Sequence, residues 1–279
     1  MSYKIADIPF TEEYRKTHDA LHYRTEYKVR VESPTAFRVY VRRVNVSSRA
    51  FLAGTPKIVR FSESQYAIPN SRNIRLRAAA YYRDWEESDG CGIGDAEEAT
   101  FRRETDFATF QREAGQIPIS GARHIQLTLT HRKECWVLCT AMAPWSVTRL
   151  DGMRANVCRG YDAATLIEDP SEFARQLGID FGNALRTSDL ESPGPIWWTF
   201  RPEVFVDHGP VVYTASPSDV IQRFPQASWE LVTPFVKRAH FSHQKEYRFV
   251  VSIGGRGDPR QKSLDLSITE ELRALTRLI

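Results

Sequence analysis

The segment His240-Phe241-Ser242-His243-Gln244-Lys245-Glu246-Tyr247-Arg248-Phe249-Val250-Val251 alternates in its second half between apolar and polar residues. The apolar positions are Tyr247, Phe249, Val251 and Ile253, and the polar positions are Gln244, Glu246 and Arg248. Because successive side chains of a β-strand point to opposite faces, the segment predicts a strand with one buried aromatic row and one polar row. An amide, a carboxylate and a guanidinium in one row suit a polar ligand. The simpler interpretation is an antiparallel strand whose polar face is solvated.

The composition of the chain is that of a globular protein with a substantial core. Of its 279 residues, 42% are hydrophobic and 11% are aromatic, and the formal net charge is only +3. This charge is too small to indicate nucleic-acid binding by itself. We expect a single domain over residues 1–279, with an N-terminal helical extension over 1–35 and an α+β core over 36–279.

The sequence predicts a cytoplasmic protein with no membrane partner. The N-terminus has no apolar region typical of a secretory signal, and no apolar run approaches the roughly 18 residues of a membrane span. The cysteines (Cys91, Cys135, Cys139 and Cys158) form no C-x-x-C pair. Reduced thiols are therefore expected, with Cys135 and Cys139 on one face of a strand.

Helix and strand patterns are interleaved irregularly along the chain, which favours an α+β fold with mostly antiparallel strands. The clearest strand lies at 135–142, and residues 73–85 fit either a strand or a helix. The predicted helices begin at Thr11, at Asp95 (ending near Gln111), at Pro170 and at Thr269 (ending near Leu278). The last three each follow or begin with a capping residue.

The polar row of the opening segment also fits the chemistry of transfer from NAD. Such transfer needs a carboxylate beside the nicotinamide ribose, where it holds a hydroxyl and stabilises the cation formed as nicotinamide leaves. We assign this catalytic role to Glu246 and expect Gln244 to orient the acceptor. An arginine upstream can bind the pyrophosphate, and Arg60 is the candidate. If Arg60 points elsewhere, Arg38, Arg75 or Arg77 would have to take this role. Three more residues are predicted to bind the cofactor, namely Tyr213, Thr214 and Ser216. Thr214 and Ser216 are also expected to support Glu246.

Several motifs resemble a bacterial family known as domain of unknown function twenty-nine seventy-one. They are Phe235-Val236-Lys237-Arg238, Phe241, Glu246-Tyr247-Arg248-Phe249-Val250, Gly94-Asp95-Ala96-Glu97, Val137-Leu138-Cys139-Thr140 and Val211-Val212-Tyr213. The family's usual Phe-Asn-Asp-Pro is replaced here by Gly92-Ile93-Gly94-Asp95-Ala96. Members often lie near bacterial defence or toxin loci, which implies a role of that kind.

The order of arginine, then serine or threonine, then Gln-x-Glu also resembles the mono-ADP-ribosyltransferase toxins. This resemblance implies a split antiparallel β core with flanking helices, NAD as cosubstrate and Glu246 as the catalytic carboxylate. It further implies a macromolecular acceptor (protein or nucleic acid) and an antitoxin as a possible partner. The function expected is an NAD-dependent ADP-ribosyltransferase-like effector in toxin or anti-phage systems.

Two other functions remain open from the sequence. In the first, the protein is a non-catalytic ligand-sensing or binding module of a defence system, and Glu246 and Arg248 form an internal ion pair or contact a ligand. In the second, it is a metal-dependent nuclease that uses Asp95, Glu97 and Glu246. No recognised metal-ligand motif supports the second, and His240 and His243 are expected to be structural rather than metal ligands.

Overall fold

The computed structural model describes residues 28–31, 38–44, 46, 57–85, 99–106, 126–132, 134–142, 150–154, 160–185, 190–191, 203–224, 229–253 and 258–279. The predicted helix at Thr11 and the acidic residues Asp95 and Glu97 lie outside these ranges.

The strands are β1 (Lys28–Val31), β2 (Arg38–Arg43), β3 (Ile58–Ser62), β4 (Asn73–Ala78), β5 (Thr100–Asp106), β6 (Gln126–Arg132), β7 (Trp136–Met142), β8 (Ala163–Ile167), β9 (Leu190–Glu191), β10 (Glu203–Pro210), β11 (Val212–Thr214), β12 (Val236–Arg238), β13 (Glu246–Ile253), β14 (Asp258–Pro259), β15 (Ser263–Ser267) and β16 (Thr276–Leu278). The helices are α1 (Ala79–Trp85), α2 (Pro170–Ala184), α3 (Pro217–Ile221), α4 (Trp229–Val232) and α5 (Glu270–Ala274), and residues 150–154 are also helical. Three 3₁₀ turns cover Ser64–Tyr66, Thr233–Phe235 and Ala239–Gln244.

The architecture is α+β, as the interleaved patterns predicted, and is built on a curled, mostly antiparallel mixed sheet. Ten strands join in the order β1-β2-β10-β13-β7-β3-β8-β16, with β4 paired to β7 and β15 paired to β4. Within this sheet β2 and β10 run parallel, whereas the other described pairs are antiparallel. Because β1 already belongs to the sheet, the sheet includes residues that precede position 36.

The segment that opens the sequence analysis forms the central strand β13. Its apolar row of Tyr247, Phe249, Val251 and Ile253 packs into the main core, as the alternation predicted. The opposite row is also buried, so the interpretation with a solvated polar face is wrong. Gln244 does not lie on the strand, because it ends the Ala239–Gln244 turn and Lys245 follows with a left-handed φ of 45°.

Helix α2 covers the β2–β10 side of the sheet and begins where the sequence predicted. The Asp169 carboxylate caps it by accepting hydrogen bonds from the backbone N–H groups of Ser171 at 2.9 Å and Glu172 at 3.0 Å. Its buried side of Phe173, Leu177 and Phe181 closes the main core. Gly178 lets the helix approach closely, since an added Cβ would stand 2.5 Å from Val39 Cγ1.

Two predicted helices are wrong over part of their length. Residues Thr100–Asp106, expected within a helix from Asp95 to Gln111, instead form β5 and pair antiparallel with β6. The C-terminal helix ends at Ala274, and Thr276–Leu278 pairs with β8. In both places pairing with a strand distant in sequence overrides the local helical preference. Residues 73–85 contain both structures, with β4 ending at Ala78 and α1 beginning at Ala79.

Candidate active site

The main sheet forks along one edge of β7. The β3 strand pairs with the end of β7 through Val59 and Ala141, whereas β4 pairs with its beginning through Arg77 and Val137. On this edge residues 138–140 have no paired strand among those described. A cavity of about 570 Å³ lies in the fork. This volume is within the range of about 300–1,000 Å³ that is typical of small-molecule sites.

A buried carboxylate, Glu246, lies at the base of the cavity with a cation at each oxygen. Lys237 Nζ donates to Glu246 Oε1 at 2.9 Å, and Arg248 Nε donates to Oε2 at 2.7 Å. The same Lys237 ammonium donates to Gln244 Oε1 at 3.2 Å, and Arg248 also donates to the Pro234 carbonyl. Glu246 is 7% exposed, while Lys237 and Arg248 are almost fully buried.

These contacts keep Glu246 ionised at neutral pH. Burial alone raises the pKa of a carboxyl group, because desolvation disfavours the charged form. At Glu246 the charges and hydrogen bonds of Arg248 and Lys237 outweigh burial and lower the pKa to about 2. The site therefore presents an anion at the base of a cavity, and the anion is held in one orientation.

The backbone of Glu246 is also fixed on both sides. Its N–H donates to the Tyr213 hydroxyl oxygen at 2.8 Å, and its carbonyl accepts from the Val211 N–H at 3.0 Å. Burial, with the negative charge of Glu246 adding to it, raises the pKa of Tyr213, so this phenol stays neutral. Tyr213 therefore positions Glu246 from β11 and is not among the residues that line the cavity.

Arg60 lines the cavity from β3 and is half-buried. One guanidinium nitrogen donates to the Tyr66 carbonyl at 2.9 Å, which leaves further N–H donors of this group for a ligand. Burial lowers its pKa below the ordinary value of 12.5. Within the described residues no carboxylate forms an ion pair with Arg60.

Two further arginines line the cavity from β4. The Arg77 guanidinium lies 4.0 Å from the ring centroid of Tyr81. Arg75 is more exposed and forms a bidentate pair with Asp265 at 2.7 and 3.0 Å. Cationic groups therefore contribute to both the β3 and the β4 sides of the fork.

The wall formed by β7 is less polar and contributes a protonated thiol. Cys139 Sγ donates to the Tyr82 hydroxyl oxygen at 3.4 Å. Burial, and then the charge of Glu246, raise the pKa of Cys139 to about 11. A thiol with this pKa is a poor nucleophile at neutral pH.

The structure brings together only part of the predicted site. Arg60, Gln244 and Glu246 line one cavity, but Thr214 and Ser216 are not among its lining residues. Thr214 Oγ1 instead accepts from the Ser216 N–H at 3.2 Å, at the start of α3. Neither residue has a described hydrogen bond to the Glu246 carboxylate, and the contacts that hold it come from Lys237 and Arg248.

Sequence reasoning missed the contributions of Lys237, Cys139 and Tyr82 to this site, whereas Arg75 and Arg77 were alternatives to Arg60 and line the cavity together with it. Lys237 was quoted only as part of a family motif, and its spacing from Glu246 indicates no contact. In the folded chain the Ala239–Gln244 turn and the left-handed Lys245 bring the two side chains together.

Metal ligands are not grouped in the part of the chain that the structure describes, where no three His, Cys, Asp or Glu side chains are arranged to hold an ion. His243 Nδ1 lies 3.0 Å from the His240 carbonyl oxygen in an exposed turn. None of the described helices has the length and apolar character needed to cross a membrane.

Comparison of the chain with known proteins found no matching family model, no matching curated protein and no matching solved structure.

Proposed function

We propose that the fork cavity binds NAD and that the protein is an ADP-ribosyltransferase-like effector that modifies a macromolecule. The observation that carries this proposal is that Arg60, Gln244 and Glu246 line a single cavity of about 570 Å³. Arg60 lies far in the sequence from Gln244 and Glu246. Cleavage of NAD uses a cation at the pyrophosphate and a carboxylate at the nicotinamide ribose.

In this proposal Glu246 acts on the nicotinamide ribose. A carboxylate offers about four acceptor positions, of which Lys237 and Arg248 occupy two, so acceptor capacity remains for a ribose hydroxyl. The bond between C1′ and the nicotinamide nitrogen breaks, and nicotinamide leaves with the bonding electrons as a neutral molecule. The fixed negative charge of Glu246 stabilises the resulting oxocarbenium-like cation.

The acceptor then forms the new bond at C1′ and releases its proton to water. The Gln244 side chain is held by Lys237 through its oxygen, which directs its amide nitrogen away from that bond. This NH₂ group can hydrogen-bond to the acceptor. Arg60 binds the pyrophosphate through the guanidinium donors that the Tyr66 carbonyl does not use.

A second candidate function is a non-catalytic ligand-sensing or binding module. Its support is the double ion pair of Glu246, because a carboxylate held by two buried cations also serves as an internal structural link. A toxin or anti-phage role is compatible with both candidates. The two differ in whether NAD is cleaved.

The test is nicotinamide release from NAD by the purified full chain, with and without a cell lysate as the source of acceptor. We expect Glu246→Gln to reduce the rate roughly 100-fold or more, because it removes the charge and nearly preserves the shape. Glu271→Gln, on the exposed first turn of α5, is the matched control and should retain the parent rate. Thermal unfolding of both variants establishes that they are folded. Equal rates in the parent and Glu246→Gln would refute catalysis by Glu246, and NAD binding without cleavage by the parent would favour the sensing module.

A further inference from the structure

A short turn at the mouth of the cavity is held by hydrogen bonds on both sides. This turn is the 3₁₀ segment Ser64–Tyr66, which directly follows β3 and Glu63. The Ser64 N–H donates to Asp162 Oδ1 at 2.6 Å, and the Tyr66 carbonyl accepts from Arg60 at 2.9 Å. The position of the Tyr66 backbone is therefore linked directly to the cavity arginine.

The side chain carried by this turn is exposed, in contrast to most apolar side chains. Tyr66 is 53% exposed, and the other exposed large hydrophobic residues of the described chain are Leu278 and Ile279 at the C-terminus. Of these three residues, Tyr66 lines the cavity. Isolated exposed aromatic residues are common on protein surfaces. This one differs because its backbone is fixed and it lies beside a cavity.

The lining residues differ in exposure: Glu246 is buried, Arg60 is half-buried and Tyr66 is exposed. From the most buried to the most exposed, they present an anion, a cation and an aromatic ring. A nucleotide-type ligand has complementary parts, namely a ribose with a polarised carbon, an anionic phosphate and a planar ring.

We infer that Tyr66 is a stacking platform for the heteroaromatic ring of a nucleotide-type ligand whose phosphate lies at Arg60. The inference rests on the proposed function for the identity of the ligand, and it adds a ligand-binding residue. The hydrogen bond from Arg60 to the Tyr66 carbonyl holds the backbone of the platform residue next to the proposed phosphate contact. Any nucleobase can stack on an aromatic side chain, because every base has a planar aromatic face.

The test is binding of ADP-ribose, AMP, nicotinamide mononucleotide and ribose 5-phosphate to the full chain, measured by calorimetry. We expect Tyr66→Ala to weaken ADP-ribose binding roughly 10-fold and to leave ribose 5-phosphate binding unchanged, because only ADP-ribose has a heteroaromatic base that can stack on Tyr66. Tyr66→Phe keeps the ring and should bind all four ligands as the parent does. Leu278→Ala removes an exposed apolar side chain away from the cavity and is the matched control.

The two mononucleotides identify which ring is bound. ADP-ribose carries adenine and no nicotinamide, so the loss expected for ADP-ribose extends to AMP and assigns adenine to Tyr66. A loss confined to nicotinamide mononucleotide leaves ADP-ribose affinity unchanged and overturns the inference. Unchanged ADP-ribose affinity in Tyr66→Ala overturns the inference, as does an equal loss for ADP-ribose and ribose 5-phosphate. So does a parent that binds none of the four ligands.

Failure of this inference and failure of the proposed function are separable. If the parent releases nicotinamide from NAD but Tyr66→Ala has the parent affinity for ADP-ribose, the platform is refuted and the transferase proposal stands. If Tyr66→Ala loses ADP-ribose binding but the parent never cleaves NAD, the transferase proposal is refuted and the platform stands.

Discussion

The ion pairs of Glu246 predict how the stability of the protein depends on pH. The pKa of Glu246 lies at about 2 in the folded chain against an ordinary value of 4.5, because Arg248 and Lys237 outweigh the opposing effect of burial. A carboxyl whose folded pKa is lowered contributes stability above its unfolded pKa and loses it as pH falls towards the folded pKa. The contribution is about 3 kcal/mol at neutral pH, and about 2 kcal/mol of it is lost between pH 7 and pH 3.

The perturbation is Glu246→Gln, which cannot ionise, and the assay is urea unfolding of the parent and the variant at several pH values between 7 and 3. At pH 7 the variant should be less stable, since Lys237 and Arg248 remain buried without their anion. The difference in unfolding free energy should then shrink by about 2 kcal/mol on acidification, because other carboxyl groups titrate alike in both proteins. Glu271→Gln, exposed on α5, should follow the parent. A difference that stays constant from pH 7 to pH 3 would refute an ionised, doubly paired Glu246.

Three further predictions concern the ion pair of Arg248, the packing around Gly209 and the thiol of Cys139. Arg248→Lys should cost about 3 kcal/mol of unfolding free energy in urea titrations, because one ammonium cannot replace both guanidinium bonds; a cost near zero would contradict a supporting role. Gly209→Ala should cost more than about 3 kcal/mol or prevent folding, since its Cβ would stand 2.0 Å from the Val44 carbonyl oxygen, whereas Gly160→Ala has open space and should change stability by less than about 0.5 kcal/mol. Similar melting temperatures for these two variants would contradict that packing. Cys139, with its pKa raised to about 11 by burial, should alkylate at pH 8 on the order of 100-fold more slowly in the folded chain than in urea, as measured by peptide mass spectrometry; equal rates would contradict the raised pKa of this partly buried thiol.

Local patterns predicted the elements whose own residues determine them. Asp169 followed by Pro170 is a complete helix start, and Phe173, Leu177 and Phe181 form its buried side, so α2 is found as expected. Alternation identified which row of β13 faces the core. Residues 73–85 fit both a strand and a helix, and the chain uses both, because β4 gains partners in β7 and β15 while α1 does not extend the sheet.

Elements formed by distant pairing were missed or misassigned for a physical reason. Segment Thr100–Asp106 contains no signal for its partner Gln126–Arg132, and Thr276–Leu278 contains none for β8. The polar row of β13 also fits a solvated surface equally well on local evidence. The polar face is buried because Lys237 and the Pro234 carbonyl, which precede β13 in the chain, contact Glu246 and Arg248 there, and no local pattern specifies this contact.

The sequence by itself determined the α+β class, the start of α2, the orientation of the apolar row of β13 and the choice of Glu246 as the carboxylate of interest. Tertiary structure alone decided that Arg60, Gln244 and Glu246 share one cavity, that Thr214 and Ser216 do not line it, and that Lys237 and Arg248 hold Glu246. The physical reason is the range of the forces concerned. Periodicity and capping act within a few residues, whereas a cavity and a buried ion pair exist only when strands distant in sequence are brought together around them.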